Sequence, residues 1–220
     1  MLLINDNFEL IINDSNLKLF SFFSNEKIIL QPVEIGIPIN HQLSHKRYSD
    51  FSTGRYCAMK ALQIIGLKDV VIPIGNDREP LWPDQIVGSI SHCDILTGAI
   101  VAKKTDCISL GIDIEEIGSV TEDIWDLVFT ENEKKHLSTY RGDERRVKST
   151  IIFSIKEAFY KFQFPLTKIF LDFLDVEVSL TDYSQIIVLS NLINFESEIR
   201  KNKVYYVIHD SFIISIIVPS

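Results

Sequence analysis

Residues 107–120 read CISLGIDIEEIGSV and place two carboxylates inside an apolar run. The run is rich in β-branched residues and alternates in polarity, which predicts a strand. Side chains alternate between the two faces of a strand, so Asp113 and Glu115 share one face. Ile112 and Ile114 share the other face. Like charges ~7 Å apart repel each other, so the pattern predicts a positive group between the two carboxylates.

Length and composition limit the class of protein. The chain has 220 residues, which is enough for one large domain or two small ones. A hydrophobic fraction of 46% allows a packed core and argues against wholesale disorder. The longest apolar run, residues 212–218, is interrupted by Ser215 and is far shorter than the ~20 residues of a membrane span. The net charge of −8 argues against a general nucleic-acid binder.

The N-terminus and the cysteines bear on the cellular compartment. Residues 1–6 include an early acid and no basic residue, so we expect no signal peptide. The cysteines Cys57, Cys93 and Cys107 lack the spacing of a metal site. An odd number of cysteines without a secretory signal predicts free thiols in a reducing cytoplasm.

Helical and strand patterns alternate along the rest of the chain. The first 30 or so residues alternate apolar and polar side chains, which predicts strands or an irregular β layer. A helix is predicted within residues 41–66, and residues 73–85 form a loop because they hold three prolines and a glycine. A longer helix is predicted over about 143–162, with Pro165 ending it. Thr130 and Glu133 fit a capping box before it.

Strand patterns recur in both halves of the chain. The segment LTGAIVA predicts a strand before residue 107, and LDVEVSL, QIIVLSNL, KVYYVIHD and FIISIIV predict four after the second helix. Each half therefore combines a helix with several strands. This repeat predicts an α+β fold of two similar subdomains, residues 1–108 and 109–220.

A basic stretch stands out in this acidic chain. Residues 134–148 carry six basic and two acidic side chains, a local charge of +4. A solvated pair of helices is the commoner interpretation, and a docking patch for an acidic partner is the other. Composition alone leaves both open.

The second helix carries a third carboxylate within FSIKEAFYK, residues 153–161. An apolar stripe with helical spacing consists of Ile151, Ile155, Ala158, Phe159 and Phe162. The stripe leaves the other face to Lys156, Glu157, Tyr160 and Lys161. Taken alone, Glu157 and Lys161 at i and i+4 are best interpreted as a surface ion pair worth about 0.3–0.5 kcal/mol.

Several ordered motifs together resemble the 4'-phosphopantetheinyl transferases. The resemblance is to the larger single-chain type, enterobactin-synthetase-component-like, which acts on carrier proteins of siderophore, peptide and polyketide synthesis. It spans about residues 45–165. The matching segments are Arg47, GRYCA (54–58), PLWP (80–83), GSISH (88–92), GIDIE (111–115) and FSIKEAFYK (153–161).

The resemblance implies a fold and a reaction. The fold has two pseudo-symmetric α+β halves, each a small, mostly antiparallel sheet packed with a helix, with coenzyme A held between them. The reaction moves the 4'-phosphopantetheine arm of coenzyme A to a serine of an apo carrier protein. The reaction is implied to depend on Mg²⁺ and to release adenosine 3',5'-bisphosphate. The enzyme is implied to be a cytoplasmic monomer that serves secondary metabolism.

The acids and lysines receive roles from the same resemblance. Asp113, Glu115 and Glu157 are implied to be the Mg²⁺ ligands, which suits the preference of this ion for oxygen. Glu157 is also a candidate for the base that takes the serine proton. Lys161 is implied to bind the pyrophosphate, and Lys156 to contact phosphate from the same helix.

Basic and polar residues upstream are implied to surround the nucleotide and its phosphates. They are Arg47, Arg55, Arg78, Ser91 and His92. An arginine fork suits a phosphate group, which it can bind through two hydrogen bonds. In this family the region between the two acidic motifs meets the carrier protein, so the stretch 134–148 is implied to dock an acidic carrier.

Two other functions fit part of the pattern. A Mg²⁺-dependent phosphohydrolase would explain the carboxylates but not the ordered arginine, Ser-His and lysine motifs. A non-catalytic module that binds coenzyme A or a carrier protein would keep the arginines but does not need three carboxylates and Lys161. Because the full set is present, we favour the transferase.

Overall fold

The computed structural model describes the backbone of residues 2–4, 10–12, 18–36, 44–180, 185–189 and 201–220. The chain divides into two compact units, Met1–Leu110 and Gly111–Ser220. The division predicted from the sequence follows residue 108, and the observed one follows residue 110.

The first unit combines two small sheets with one long helix. Its elements are β1 (Leu2–Ile4), β2 (Leu10–Ile12), β3 (Phe20–Ser24), α1 (His45–Ile64), β4 (Ile86–His92) and β5 (Thr97–Lys103). Strands β1 and β2 form an antiparallel pair. Strands β3, β5 and β4 form an antiparallel sheet in that order, with β5 at its centre.

Helix α1 packs its small side chains on this sheet. Cys57, Ala58 and Ala61 are fully buried in a core with Ala99 and Val101 of β5. Small side chains on both surfaces let the helix lie close to the sheet. Trp82, in the loop before β4, also packs against this core.

The second unit repeats this plan with a longer helix. Its elements are β6 (Gly111–Glu116), α2 (Trp125–Val128), α3 (Glu131–Leu137), α4 (Gly142–Thr167), β7 (Val176–Ser179), β8 (Gln185–Val188), β9 (Asn202–His209) and β10 (Phe212–Pro219). Strands β6, β10 and β9 form an antiparallel sheet with β10 at its centre, and β7 pairs with β8. Each unit thus has a three-stranded antiparallel sheet with one long helix, and the predicted α+β class is confirmed.

The apolar stripe predicted on the second helix is confirmed, since all five of its side chains are buried in one core. The predicted end of that helix is wrong. Helix α4 continues through Pro165 to Thr167 and ends where Lys168 adopts a left-handed conformation (φ 56°). Proline lacks the backbone N–H that would donate within the helix. In the last turn this costs a single hydrogen bond, and the two residues after Pro165 stay helical. The predicted capping box of Thr130 and Glu133 is confirmed.

None of the helices among the described residues is both long and apolar enough to cross a membrane.

Gly111 sets the distance between β6 and α4. A Cβ atom placed on it would overlap the carbonyl oxygen of Ala158 and lie 2.8 Å from the backbone nitrogen of Phe162. Both neighbours are backbone atoms, so they cannot turn aside as a side chain can. The first residue of β6 therefore lies directly against the α4 backbone.

We expect Gly111→Ala to lower the free energy of unfolding by about 1–3 kcal/mol or more, because overpacking here must move a helix. Urea unfolding measures this effect. Gly54→Ala is the matched control, since its Cβ would meet only the Ile90 Cγ2 atom, at 2.9 Å. Equal stability of Gly111→Ala and the wild type would show that helix and strand are not in contact at this point.

Candidate active site

A lysine of α4 bonds one of the two strand carboxylates. Lys161 Nζ on α4 donates to Asp113 Oδ1 on β6 over 2.7 Å. The Asp113 side chain is only 4% exposed, whereas that of Lys161 is 27% exposed. The lysine therefore reaches a buried acid from a position that solvent can still enter.

Glu115 and Glu157 belong to the same cluster. Burial raises the pKa of the Glu115 carboxyl to about 7, and the Asp113 charge adds to this rise. A hydrogen bond with Ser119 and the Lys161 charge oppose it, and Glu157 adds a further small rise. Burial also raises the pKa of Glu157, where Lys161 acts against the shift and Asp113 with it. The three carboxylates therefore interact with one another, and we call Asp113, Glu115 and Glu157 the carboxylate cluster.

Local contacts hold the strand and the helix in place around the cluster. At one end, the α4 backbone lies on Gly111. At the other, the Gly118 backbone N–H donates to Thr150 Oγ1 on α4 over 3.0 Å. Within β6, Asp113 lies opposite the fully buried Ser215 of β10. These contacts fix the register in which the acids of β6 face the helix.

The carboxylate cluster matches Mg²⁺ in its chemistry. Carboxylate oxygens are the ligands this ion prefers, and their mutual repulsion favours a cation among them. Among the residues that the structure describes, no three acidic, histidine or cysteine side chains are already arranged as a metal site. In this arrangement the Lys161 ammonium group bonds Asp113 Oδ1.

Lys156 has a different role from the phosphate contact implied by sequence. Its Nζ donates to Val128 O (2.8 Å), Glu133 Oε2 (2.6 Å) and Phe173 O (2.9 Å). An ammonium group has three hydrogens, so these bonds use all of them. The side chain is 2% exposed, and we withdraw Lys156 as a phosphate contact. The prediction failed because other segments cover the side of α4 that the sequence assigned to solvent.

Arg55 is likewise buried. Its Nε donates to Ile72 O over 2.8 Å, and its guanidinium carbon lies 4.4 Å from the centre of the Phe51 ring. Burial lowers the pKa of this guanidinium to about 10. Arg55 thus ties α1 to the segment after it, and this arrangement does not support the predicted nucleotide contact.

Of the other upstream residues in the first unit, three are exposed and one, Ser91, is buried. Arg47 is exposed in the first turn of α1, where its backbone N–H donates to Ser44 Oγ over 3.3 Å. His92 is the exposed last residue of β4, and Ser91 before it is buried. Arg78 is exposed in the turn between Ile74 and Pro80, with a left-handed backbone (φ 67°).

Two lysines that sequence analysis missed lie beside His92. Lys27 Nζ donates to Asp50 Oδ1 over 2.8 Å and to Cys93 O over 3.5 Å. Lys46 Nζ pairs with Asp94 over 2.7 Å. Lys46, then Lys27 and His92, lower the pKa of Asp94. The proximity of Lys46 to Arg47 in the sequence could have indicated this cluster, whereas only the fold brings Lys27 to it. We call Lys27, Lys46, Arg47 and His92 the basic end.

The raised pKa of Glu115 predicts how stability depends on pH. Folded Glu115 titrates near 7 and the unfolded chain near the ordinary value of 4.5, so between these values the folded state binds more protons. We expect the free energy of unfolding to fall as pH rises from about 5 to 8 in the absence of divalent cations. Glu115→Gln should flatten this dependence, which urea unfolding at several pH values measures. An unchanged slope in Glu115→Gln would assign the dependence to another group.

Comparison with known families places this chain. The model of the 4'-phosphopantetheinyl transferase N-terminal domain matches residues 39–102, and that of the 4'-phosphopantetheinyl transferase superfamily matches residues 109–217. The chain belongs to the 4'-phosphopantetheinyl transferase superfamily. The resemblance found in the sequence is thereby confirmed, and the two matches fall in the two structural units.

Individual transferases align with much of the chain. 4'-Phosphopantetheinyl transferase Svp of Streptomyces mobaraensis is 36% identical over 61% of this chain and 55% of its own length. 4'-Phosphopantetheinyl transferase PptT of Mycobacterium tuberculosis is 34% identical over 68% and 66%. Enterobactin synthase component D of Escherichia coli K12 is 37% identical over 57% and 60%. The matched segment thus spans between 55% and 66% of the length of these relatives.

Solved structures of smaller relatives match half of the chain. The holo-[acyl-carrier-protein] synthase of Thermotoga maritima is 25% identical over 50% of this chain and 62% of its own, with a TM-score of 0.40. The Bacillus anthracis synthase, solved with CoA (3',5'-ADP), is 24% identical over 50% and 93%, also with a TM-score of 0.40.

Proposed function

We propose that this chain transfers the 4'-phosphopantetheine arm of coenzyme A to a serine of an apo carrier protein, releasing adenosine 3',5'-bisphosphate. One observation carries the proposal. In a chain of this family, Lys161 bonds Asp113 within the carboxylate cluster, so an ammonium group and three carboxylates lie together. A cytoplasmic monomer that serves siderophore, peptide or polyketide synthesis remains the prediction from sequence.

The main task of the catalyst in this reaction is to neutralise negative charge. The serine oxygen forms a bond to the phosphorus of the pantetheine arm, and the bond from that phosphorus to the oxygen of the leaving bisphosphate breaks. Negative charge on the phosphoryl oxygens and the leaving group opposes this exchange. Lys161, which is partly exposed, can donate to the pyrophosphate and offset this charge.

The serine proton needs an acceptor near the phosphorus. Glu157 is our candidate, because a buried carboxylate with a raised pKa accepts a proton more readily than an exposed one at neutral pH. Glu157 lies near enough to Lys161 for that lysine to act on its pKa, so the proposal assigns proton acceptance and phosphate binding to the same helix.

Asp113, Glu115 and Glu157 would hold the magnesium ion that the family implies. When bound, Mg²⁺ supplies positive charge to the pyrophosphate oxygens. A metal ion held by Asp113 would compete with Lys161 for this carboxylate, so we expect Lys161 to leave Asp113 when it contacts phosphate.

The basic end of the first unit is proposed to bind phosphate groups of coenzyme A. Lys27, Lys46, Arg47 and His92 gather cationic or titratable side chains at the start of α1 and the end of β4. Phosphate carries charge that such side chains bind well. Arg78 and Ser91 remain predictions from the sequence.

A mass measurement tests the transfer. Apo carrier protein is incubated with the enzyme, coenzyme A and Mg²⁺ and is then weighed by mass spectrometry. The expected result is a gain of one phosphopantetheine on the carrier serine. Phosphate release without a mass gain would select the phosphohydrolase, and binding without either would select a non-catalytic module.

The basic stretch, residues 134–148, carries less unpaired positive charge than its composition predicts. Several of its basic side chains pair within the unit: Lys134 with Asp126 and Glu131, Arg145 with Glu122, and Arg146 with Asp143. Lys135 and Arg141 are exposed and have no ion-pair partner in the described part of the chain. We therefore propose Lys135 and Arg141 as the residues that attract an acidic carrier.

We expect Lys135→Glu combined with Arg141→Glu to raise KM for the carrier about tenfold and to leave KM for coenzyme A unchanged. The reason is that charges at the edge of an interface steer the partner without touching the small substrate. Lys103→Glu with Lys104→Glu, an equal charge change in the first unit, is the matched control. Equal effects of both pairs would mean that only net charge matters.

A further inference from the structure

Lys156 and Glu133 form an ion pair inside the second unit. Their side chains are 2% and 1% exposed, and Nζ lies 2.6 Å from Oε2. The same ammonium group donates to the carbonyls of Val128 and Phe173 and lies 5.8 Å from the centre of the Phe129 ring. Lys156 thus contacts the end of α2 and the segment that leads into β7.

Both carboxylate oxygens of Glu133 accept hydrogen bonds. Its Oε2 also accepts from the backbone N–H of Thr130 over 2.8 Å, and its Oε1 accepts from that of Val178 over 2.7 Å. One carboxylate therefore caps α3, binds β7 and pairs with α4. The pair connects α2, α3, α4 and β7 through bonds that all converge on Lys156 and Glu133.

Stability alone does not explain this pair. Burial raises the pKa of Glu133 and lowers that of Lys156, so the interior opposes both charges and their attraction only offsets this. Well-packed apolar residues replace such pairs at little or no loss of stability. Directed hydrogen bonds, in contrast, fix the orientation of the elements they join.

The orientation of α4 matters because Lys156 directly precedes Glu157 of the carboxylate cluster. Neighbouring residues on a helix point about 100° apart, so fixing Lys156 also fixes the directions of Glu157 and, one turn on, Lys161. The buried anchor therefore adds a polar constraint on the rotation of α4 about its axis, beside the contacts at Gly111 and Thr150. The distance from Lys161 to Asp113 depends on that rotation.

We propose that Lys156 is a positioning residue which, bonded to Glu133, sets the rotation of α4 and thereby aims Glu157 and Lys161 at Asp113. Its effect on turnover rests on the proposed function. Lys156 itself contacts neither phosphate nor metal.

Three variants separate this role from the alternatives: Lys156→Met, Glu133→Gln, and the double variant Lys156→Met with Glu133→Leu. The double variant removes both buried charges and is expected to regain part of the denaturation midpoint that Lys156→Met loses, the remainder being lost because the N–H groups of Thr130 and Val178 no longer have this acceptor. We expect kcat to fall about 10–100-fold in all three, as when a group that orients a site residue is removed. The Kd for coenzyme A should stay within about threefold of wild type.

Each other outcome overturns the proposal. Wild-type kcat in a stable double variant would make the pair merely structural. A loss of coenzyme A affinity in both Lys156 variants, with Glu133→Gln unaffected, would return Lys156 to the phosphate site.

Hydrogen exchange tests the anchor without turnover. We expect peptides covering residues 125–133 and 154–164 to exchange faster in Lys156→Met and Glu133→Gln, with β3–β5 unchanged. Unchanged exchange in these peptides overturns the proposal even if the wild type transfers the arm. Faster exchange with an inactive wild type would instead mean that the proposed function fails and the anchor stands.

Discussion

Asp113→Asn is expected to lower kcat by about 10²–10³-fold while the protein remains folded. Asp113 is the buried acid that bonds Lys161 and raises the pKa of Glu115. The substitution removes a charge and leaves the shape unchanged. It therefore weakens both the proposed magnesium site and the attraction that holds Lys161, and it relieves part of the repulsion on Glu115.

Three measurements check this result. The carrier mass assay gives the rate, and thermal unfolding with and without Mg²⁺ reports metal binding, because a ligand of the folded state raises its stability. We expect Mg²⁺ to raise the Tm of wild type but not of Asp113→Asn. Carbon NMR should show the pKa of Glu115 falling below about 7. Glu116→Gln is the control, since Glu116 follows Glu115 on the same strand and faces the opposite way. Near-normal turnover of Asp113→Asn would refute the metal assignment.

Lys161→Met is expected to lower kcat about a hundredfold and the affinity for coenzyme A much less. Charge develops on the phosphoryl oxygens as the reaction proceeds, so a cation beside them stabilises the transition state more than the bound substrate. Loss of the lysine also removes a group that opposes the raised pKa values of Glu115 and Glu157.

Steady-state kinetics and calorimetry with coenzyme A separate the two effects. Lys168→Met is the matched control, because it removes the same charge just beyond the end of the same helix. If Lys161→Met loses affinity and keeps its kcat, then Lys161 acts only in binding the substrate.

The sequence was informative wherever a local period determines geometry. Alternation along a strand placed Asp113 and Glu115 on one face, and helical spacing placed Glu157 and Lys161 one turn apart. The family motifs then indicated that these two elements meet. The contact of α4 with Gly111 and the bond from Lys161 to Asp113 agree with this expectation.

Long-range packing is where the sequence misled. Lys156 looked exposed because a helical pattern shows only which side is apolar, and the segments that cover its charged head lie at distant positions. Arg55 was implied to bind phosphate by the family resemblance, and its buried bond to Ile72 O could not be predicted from the sequence. The basic stretch looked strongly positive because its partners Glu122 and Asp126 fall outside the window in which charge was counted.

The bond between Lys161 and Asp113 has a thermodynamic consequence for substrate order. A phosphate that draws the lysine toward itself leaves the acid open to a cation, and a cation on the acid leaves the lysine open to phosphate. We expect the two ligands to bind cooperatively. Linkage then requires each ligand to strengthen the binding of the other by the same factor.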